Sequence, residues 1–160
     1  MRGWELLQPH ATLPTQGADF IAALGRTLLA DTPIKLVEAK EEERTVAVLP
    51  LCHGHGPLAR WRLPGAAEVF RPGDALGPDS GSAEVLAQFL AGQARPVELH
   101  RVRADSPLIP ALGAAMKGRG WVSVRPATAC PYIRLDASWA DADSKVSARR
   151  RSDFPRAERR

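Results

Sequence analysis

Read along the chain, the apolar residues change their period several times, and each change marks an element. Phe20, Ile21, Leu24 and Leu28 fall on one face of a helix that Thr15 is placed to cap and that Asp31-Thr32-Pro33 stops. Two β-rich runs follow, Ile34 to Ala39 and Thr45 to Leu51, and the acidic turn Lys40 to Arg44 between them predicts a hairpin. The second run, Val46-Ala-Val-Leu-Pro-Leu51, is apolar at consecutive positions, so it has no solvent face and belongs in the middle of a sheet. Pro57, Pro64, Pro72 and Pro78 make the stretch from 53 to 79 mostly loop, with room for one strand in Leu58 to Leu63.

Beyond this loop the helical period returns. Asp79 to Gly92 carries Val85, Leu86, Phe89 and Leu90 on one stripe, with serines at its start and a glycine at its end. Val97 to Val102 alternates as a strand, and Ser106-Pro107 opens a helix with Leu108, Ile109, Leu112 and Met116 as its apolar face and Gly118 as its stop. Trp121 to Val124 and Tyr132 to Leu135 read as two more strands. Ser138 then opens a last helix, with Asp141 as its capping-box partner, Trp139, Ala142 and Val146 inward, and Pro155 ending it. The order α, β, β, loop, α, β, α, β, β, α predicts an α/β (α+β) fold, a mixed sheet flanked by helices. We expect one domain over residues 1–136 and a basic helix over 137–160.

Charge changes the picture only after it is divided. The chain of 160 residues has a net charge of +4, but seven bases between Lys145 and Arg160 face only Asp153 and Glu158. The rest, with 15 bases and 16 acids, is nearly neutral. Arg149, Arg150, Arg151 and Arg156 in that tail are therefore the candidate contacts to a substrate or polyanion. A nucleic-acid module using this arginine-rich tail is the alternative function, but Phe154 alone is a thin stacking platform, which disfavours it. No apolar stretch has the roughly 20 residues of a membrane helix, and the N-terminus lacks a signal-peptide core, so the expectation is a cytoplasmic protein without a membrane partner. Cys52 and Cys130 read as free thiols.

Chemistry-bearing motifs are sparse. Cys52-His53-Gly54-His55 is the densest set of ligand types, but it lacks the paired spacing of a zinc site, and no metal is expected. His100 with Glu98 or Asp105 and Ser106 has the makings of a hydrolytic set, yet no G-x-S-x-G elbow is present and Ser106 reads better as a helix cap. Arg62-Leu-Pro-Gly65-Ala-Ala67 matches the R-x-x-G-x-A pattern with which GNAT acetyltransferases hold coenzyme A pyrophosphate. Pro64 lies inside the would-be nest of amides, however, and Glu68 to Pro72 reads as an extended strand instead of the helix such a loop needs.

The order of segments carries more. Thr45-Val-Ala-Val-Leu-Pro-Leu51, Glu98-Leu-His-Arg-Val-Arg-Ala-Asp-Ser-Pro107, Arg119-Gly-Trp121, and Pro131-Tyr-Ile-Arg-Leu-Asp-Ala-Ser-Trp139 leading to Ser147-Ala-Arg-Arg-Arg-Ser-Asp153 together resemble the N-terminal half of GNAT-like acetyltransferases of the cellulose or exopolysaccharide biosynthesis type, bacterial relatives of the Fem-type aminoacyl transferases. The resemblance runs from about residue 4 to the end. It implies a GNAT-like fold, an acyltransferase lineage, and acetyl-coenzyme A as the cofactor of the full-length family. It also implies that this chain alone holds no cofactor and no catalysis, that its partner is a C-terminal GNAT domain missing here, and that a face left uncovered favours self-association.

Overall fold

Strand β2 (Arg44–Cys52) determines the layers, because its side chains alternate between two faces and both faces are apolar. The computed structural model describes residues 2–53, 56, 58–77, 79–127 and 136–148. Val48 and Cys52 belong to a cluster with Trp4 and Leu7 of α1 (Arg2–Leu7), with Ile21 and Leu24 of α2 (Ala18–Arg26), and with Leu29. Ala47, Leu49 and Leu51 belong to the other cluster, with Leu86 and Leu90 of α3 (Ser80–Ala91) and Leu108 and Ala111 of α4 (Leu108–Ala115). The result is a sheet with helices on both faces, a mixed α/β architecture.

Across the sheet the order is β1-β2-β3-β4. β1 (Ile34–Glu41) pairs antiparallel with β2, from Ile34 opposite Cys52 to Glu41 opposite Arg44. This is the expected hairpin, with β2 internal. β3 (Trp61–Arg62) joins the far end of β2 at Cys52, and β4 (Val97–Glu98) runs parallel to β3. The same edge of β2 is completed at Val48 by Leu76, which exchanges two backbone hydrogen bonds with it at 2.7 and 2.8 Å. Pro50 stands between these two attachments. Since backbone direction alternates, its missing N–H falls on that edge, in the gap where no strand asks for a donor. Gly77 lets the Leu76 segment come this close: a Cβ at residue 77 would lie 2.7 Å from the Ala47 Cβ.

Several expectations change. α1 carries no long periodic run, yet Trp4 and Leu7 are buried by it, and Leu29 rather than Leu28 enters the core because the chain leaves helical geometry after Arg26. Thr15 does not cap α2. It lies in a 3-10 turn, Pro14–Gln16, and donates its hydroxyl to the Pro72 carbonyl at 2.6 Å. On α3, Leu86 and Leu90 are buried with Ala83 and Ala87, while Val85 and Phe89 remain exposed, so the stripe is rotated toward the small residues. The strand expected over Val97 to Val102 stops at Glu98, and Arg101 takes φ +57°, which no strand accommodates. Trp121 to Val124 is exposed and, among the described residues, pairs with no strand.

By internal contacts the chain forms two units, Met1–Thr128 and Ala129–Arg160. In the described part of the second, 3-10 turns at Ala137–Trp139 and Ala142–Lys145 replace the expected α-helix, and Asp136, not Ser138, is the cap, accepting from the Ser138 N–H at 2.9 Å. The expected strand Tyr132 to Leu135 lies outside the described residues. Among those residues no helix is long and apolar enough to cross a membrane.

The two kinds of glycine should separate in a stability measurement. Gly77→Ala is expected to lose about 1–3 kcal/mol in urea denaturation, because the added methyl meets Ala47 and backbone. Gly113→Ala, inside α4 with nothing within 4 Å, should gain about 0.5–1 kcal/mol.

Candidate functional site

A cleft of about 200 Å³ lies where the N-terminal ends of α3 and α4 meet the loop 72–77. Its polar wall is made by His10, Asp74, Asp79, Arg103, Asp105 and Ser106. Asp74 is the half-buried carboxylate among them. Its Oδ1 accepts from the Ala75 N–H and from the Ser106 hydroxyl, both at 2.8 Å. Burial pushes the Asp74 carboxyl above the usual carboxylate range, against the Ser106 and Ala75 hydrogen bonds and the charge of Arg103, which pull it down. The Ser106 oxygen also accepts from the Leu108 N–H at 3.3 Å, so the serine caps α4 as the sequence suggests.

The remaining charges are paired at short range. Arg103 holds Asp105 in a two-pronged contact, Nε to Oδ1 at 2.8 Å and Nη2 to Oδ2 at 2.5 Å, and this keeps the Asp105 carboxyl below its usual range. Asp79 caps α3, its Oδ1 accepting from both the backbone and the hydroxyl of Ser82 at 2.8 Å. Gln16, buried at one side of the cleft, fixes the loops around it. Its Oε1 accepts from the Thr12 and Leu13 amides at 2.8 and 2.9 Å, and its Nε2 donates to the Ala75 carbonyl at 2.7 Å. Trp4 Nε1 donates to the Gln16 carbonyl at 2.9 Å.

The Arg62 to Ala67 loop has its own anion. Arg62 pairs with the Glu68 carboxylate, whose other oxygen accepts from the Gly65 N–H at 3.0 Å. Gly65 sits at φ +83° and Phe70 at φ +53°; the chain turns over residues 64–68, and Glu68 to Pro72 is not the expected extended strand. Burial works against the ionised Glu68, but the Arg62 hydrogen bond and charge overcome it and hold the carboxyl below its usual range. With Pro64 buried inside the loop and Glu68 on its free amide, these residues do not fit a coenzyme A pyrophosphate. Cys52 lies near this pair, and burial pushes its thiol up to about 11, so it is not a nucleophile at neutral pH.

The other sequence candidates separate. His100 Nε2 lies 3.3 Å from Glu98 while Ser106 is bound to Asp74, so the hydrolytic set is not assembled. His53 packs edge-on against Trp61 with ring centroids 4.5 Å apart, and His55 lies outside the described residues. No three His, Cys, Asp or Glu side chains among the described residues are grouped to hold a metal ion. Arg149, Arg150, Arg151 and Arg156 lie outside the described residues, as does Cys130. Sequence reasoning passed over Asp74 and Gln16, since a single acid or amide in a Pro- and Gly-rich loop has no period to give it away. What the cleft can do chemically is accept hydrogen bonds from a small polar ligand through carboxylates already oriented by helix ends. Compared with family models, characterised proteins and solved structures, the chain finds no significant match.

The Glu68 pairing makes a signed prediction. A carboxyl held low contributes stability above its ordinary pKa, and that contribution is lost as the pH falls through the folded value. Glu68→Ala should therefore cost about 1–3 kcal/mol at pH 7, and its deficit in thermal denaturation should shrink in acid. Asp74 has the opposite sign: its raised carboxyl contributes stability at low pH that is lost as the pH rises.

Proposed function

We propose that this chain is the N-terminal, non-catalytic half of a GNAT-like N-acetyltransferase, contributing acceptor-substrate surface and domain packing, with acetyl-coenzyme A held by a C-terminal GNAT domain. The reading rests on the order of segments given above and on one structural observation. The loop that spells R-x-x-G-x-A is closed on its own carboxylate, Glu68 lying on Arg62 and on the Gly65 amide. An internal anion there competes with an external one, which supports assigning the cofactor to another domain.

The cleft supports the other half of the proposal. Three aspartates against one arginine repel a diphosphate, whereas carboxylates suit the hydroxyl or ammonium group of an acceptor. About 200 Å³ admits one such group and its near neighbours, not a nucleotide-sized cofactor. Nor is a general base poised over a nucleophile: Asp74 binds a helix cap, and His100 binds Glu98.

Isothermal titration of acetyl-coenzyme A into the 160-residue chain is expected to give no heat, and addition of a C-terminal GNAT domain of the kind this reading requires should give both binding and acetyl transfer. Heat at one-to-one stoichiometry from the chain alone, abolished in Arg62→Ala, would place the cofactor here and overturn the division of labour.

A further inference from the structure

One segment of this chain has strand chemistry without a sheet, and one edge of its sheet lacks a strand. The segment is Arg119 to Arg125, in which Trp121 is 80%, Val124 64% and Val122 40% exposed. It is rich in β-branched and aromatic side chains, with Val122 and Val124 on one side of an extended chain and Trp121 on the other; no backbone hydrogen bond is formed by Trp121 to Ala127 among the described residues, and Pro126 ends the run. The edge belongs to β1. Val48 gives its N–H to Leu76, away from β1, so Glu38 opposite it also turns its N–H and C=O away from β2; Ile34 and Leu36 do the same. Those groups face outward along an edge that no other described strand covers.

Charge matches the two. Between Asp105 and Asp136 the chain has no acid, and exposed Lys117, Arg119 and Arg125 surround the two valines and the tryptophan. The β1 end and its turn are the reverse: from Glu38 to Glu43 four glutamates stand against Lys40 alone. The lysines that would ordinarily block such an edge are engaged within their own chain, Lys35 Nζ lying 5.4 Å from the centre of the Trp61 ring and Lys40 Nζ 4.0 Å from Glu38.

We infer that the partner of this surface is a second copy of the chain. The Arg119–Arg125 arm of each copy adds as a strand to the β1 edge of the other, with the basic arm beside the Glu41–Glu43 turn. Donor and acceptor lie on the same chain, so in a two-fold arrangement each copy gives one arm and receives one, and both edges are filled at once. It covers the exposed tryptophan and valines and gives the outward groups of Ile34, Leu36 and Glu38 their partners. This inference is independent of the acyltransferase reading.

Sedimentation velocity over a concentration series tests it. The wild-type chain is expected to reach twice the monomer mass at high concentration and to dissociate as salt is raised. Val122→Pro removes an arm donor in an exposed position and should weaken the dimer roughly tenfold or more, with circular dichroism unchanged. Reversing the turn by Glu41→Lys, Glu42→Lys and Glu43→Lys should weaken it as well, and Arg119→Glu with Arg125→Glu in the same chain should restore it. A monomer at every concentration would overturn the inference. So would a dimer indifferent to both Val122→Pro and the charge reversal, or association that disappears on nuclease treatment.

Discussion

Covering one strand on every side is the constraint from which the rest of this fold follows. β2 is apolar on both faces, and a strand of that kind is stable only where both faces are removed from water. Hence α1 and α2 cover Val48 and Cys52, and α3 and α4 cover Leu49 and Leu51. Its edges need partners too. β1 supplies one completely, but the other is assembled from two short pieces, Leu76 and β3, and Pro50 occupies the gap between them. A proline in a central strand would otherwise break the ladder. Here it marks where no donor is required.

This also explains which features were legible in the sequence. The hairpin was visible because both its strands carry their β signal locally and the acidic turn lies between them. Helices α3 and α4 were visible through the signals at their ends, but the faces they bury are shifted toward small residues, Ala83 and Ala87 on α3 and Ala111 and Ala115 on α4. What escaped notice depends on contacts far along the chain. α1 exists because Trp4 and Leu7 find the open face of β2 and because Gln16 accepts the indole N–H, and neither fact has a local signature. The Leu76 bridge depends on Gly77 meeting Ala47, thirty positions earlier in the chain. The shortening of the Val97 strand is tertiary as well: Arg101 turns at positive φ and places its guanidinium against the Ala66 carbonyl at 3.0 Å. At the site, the capping role of Ser106 was readable because Ser-Pro has a mechanism, whereas its acceptor Asp74 comes from a loop with no pattern.

The polar side chains around the cleft and the Arg62 loop are held within the chain. Glu68 has Arg62 and Gly65, Asp74 has Ser106 and Ala75, and the Gln16 side chain makes four hydrogen bonds, to Thr12, Leu13 and Ala75. Among the described residues no fully buried side-chain nitrogen or oxygen lacks a hydrogen bond. Such satisfaction stabilises a fold and dulls chemistry, since a catalytic group must keep a lone pair or proton available to the substrate. Cys52 follows the same pattern, since burial pushes its thiol away from the reactive thiolate.

The cleft and the sheet share one piece of backbone, and this gives the site its mechanical character. Loop 72–77 places Asp74 in the cleft wall, gives the Ala75 carbonyl to Gln16, and two residues from Asp74 closes the edge of β2 through Leu76. Its start is held by Thr15 through the Pro72 carbonyl. Asp74 cannot move far without pulling on either the strand or the amide hub, so the carboxylate is set by the core rather than by a mobile loop. A ligand that fits is met by a group already in place, with little ordering entropy to lose on binding. A ligand that requires the wall to shift must strain the edge of the central strand, so the packing that makes the fold also sets the limits of what the cleft accepts.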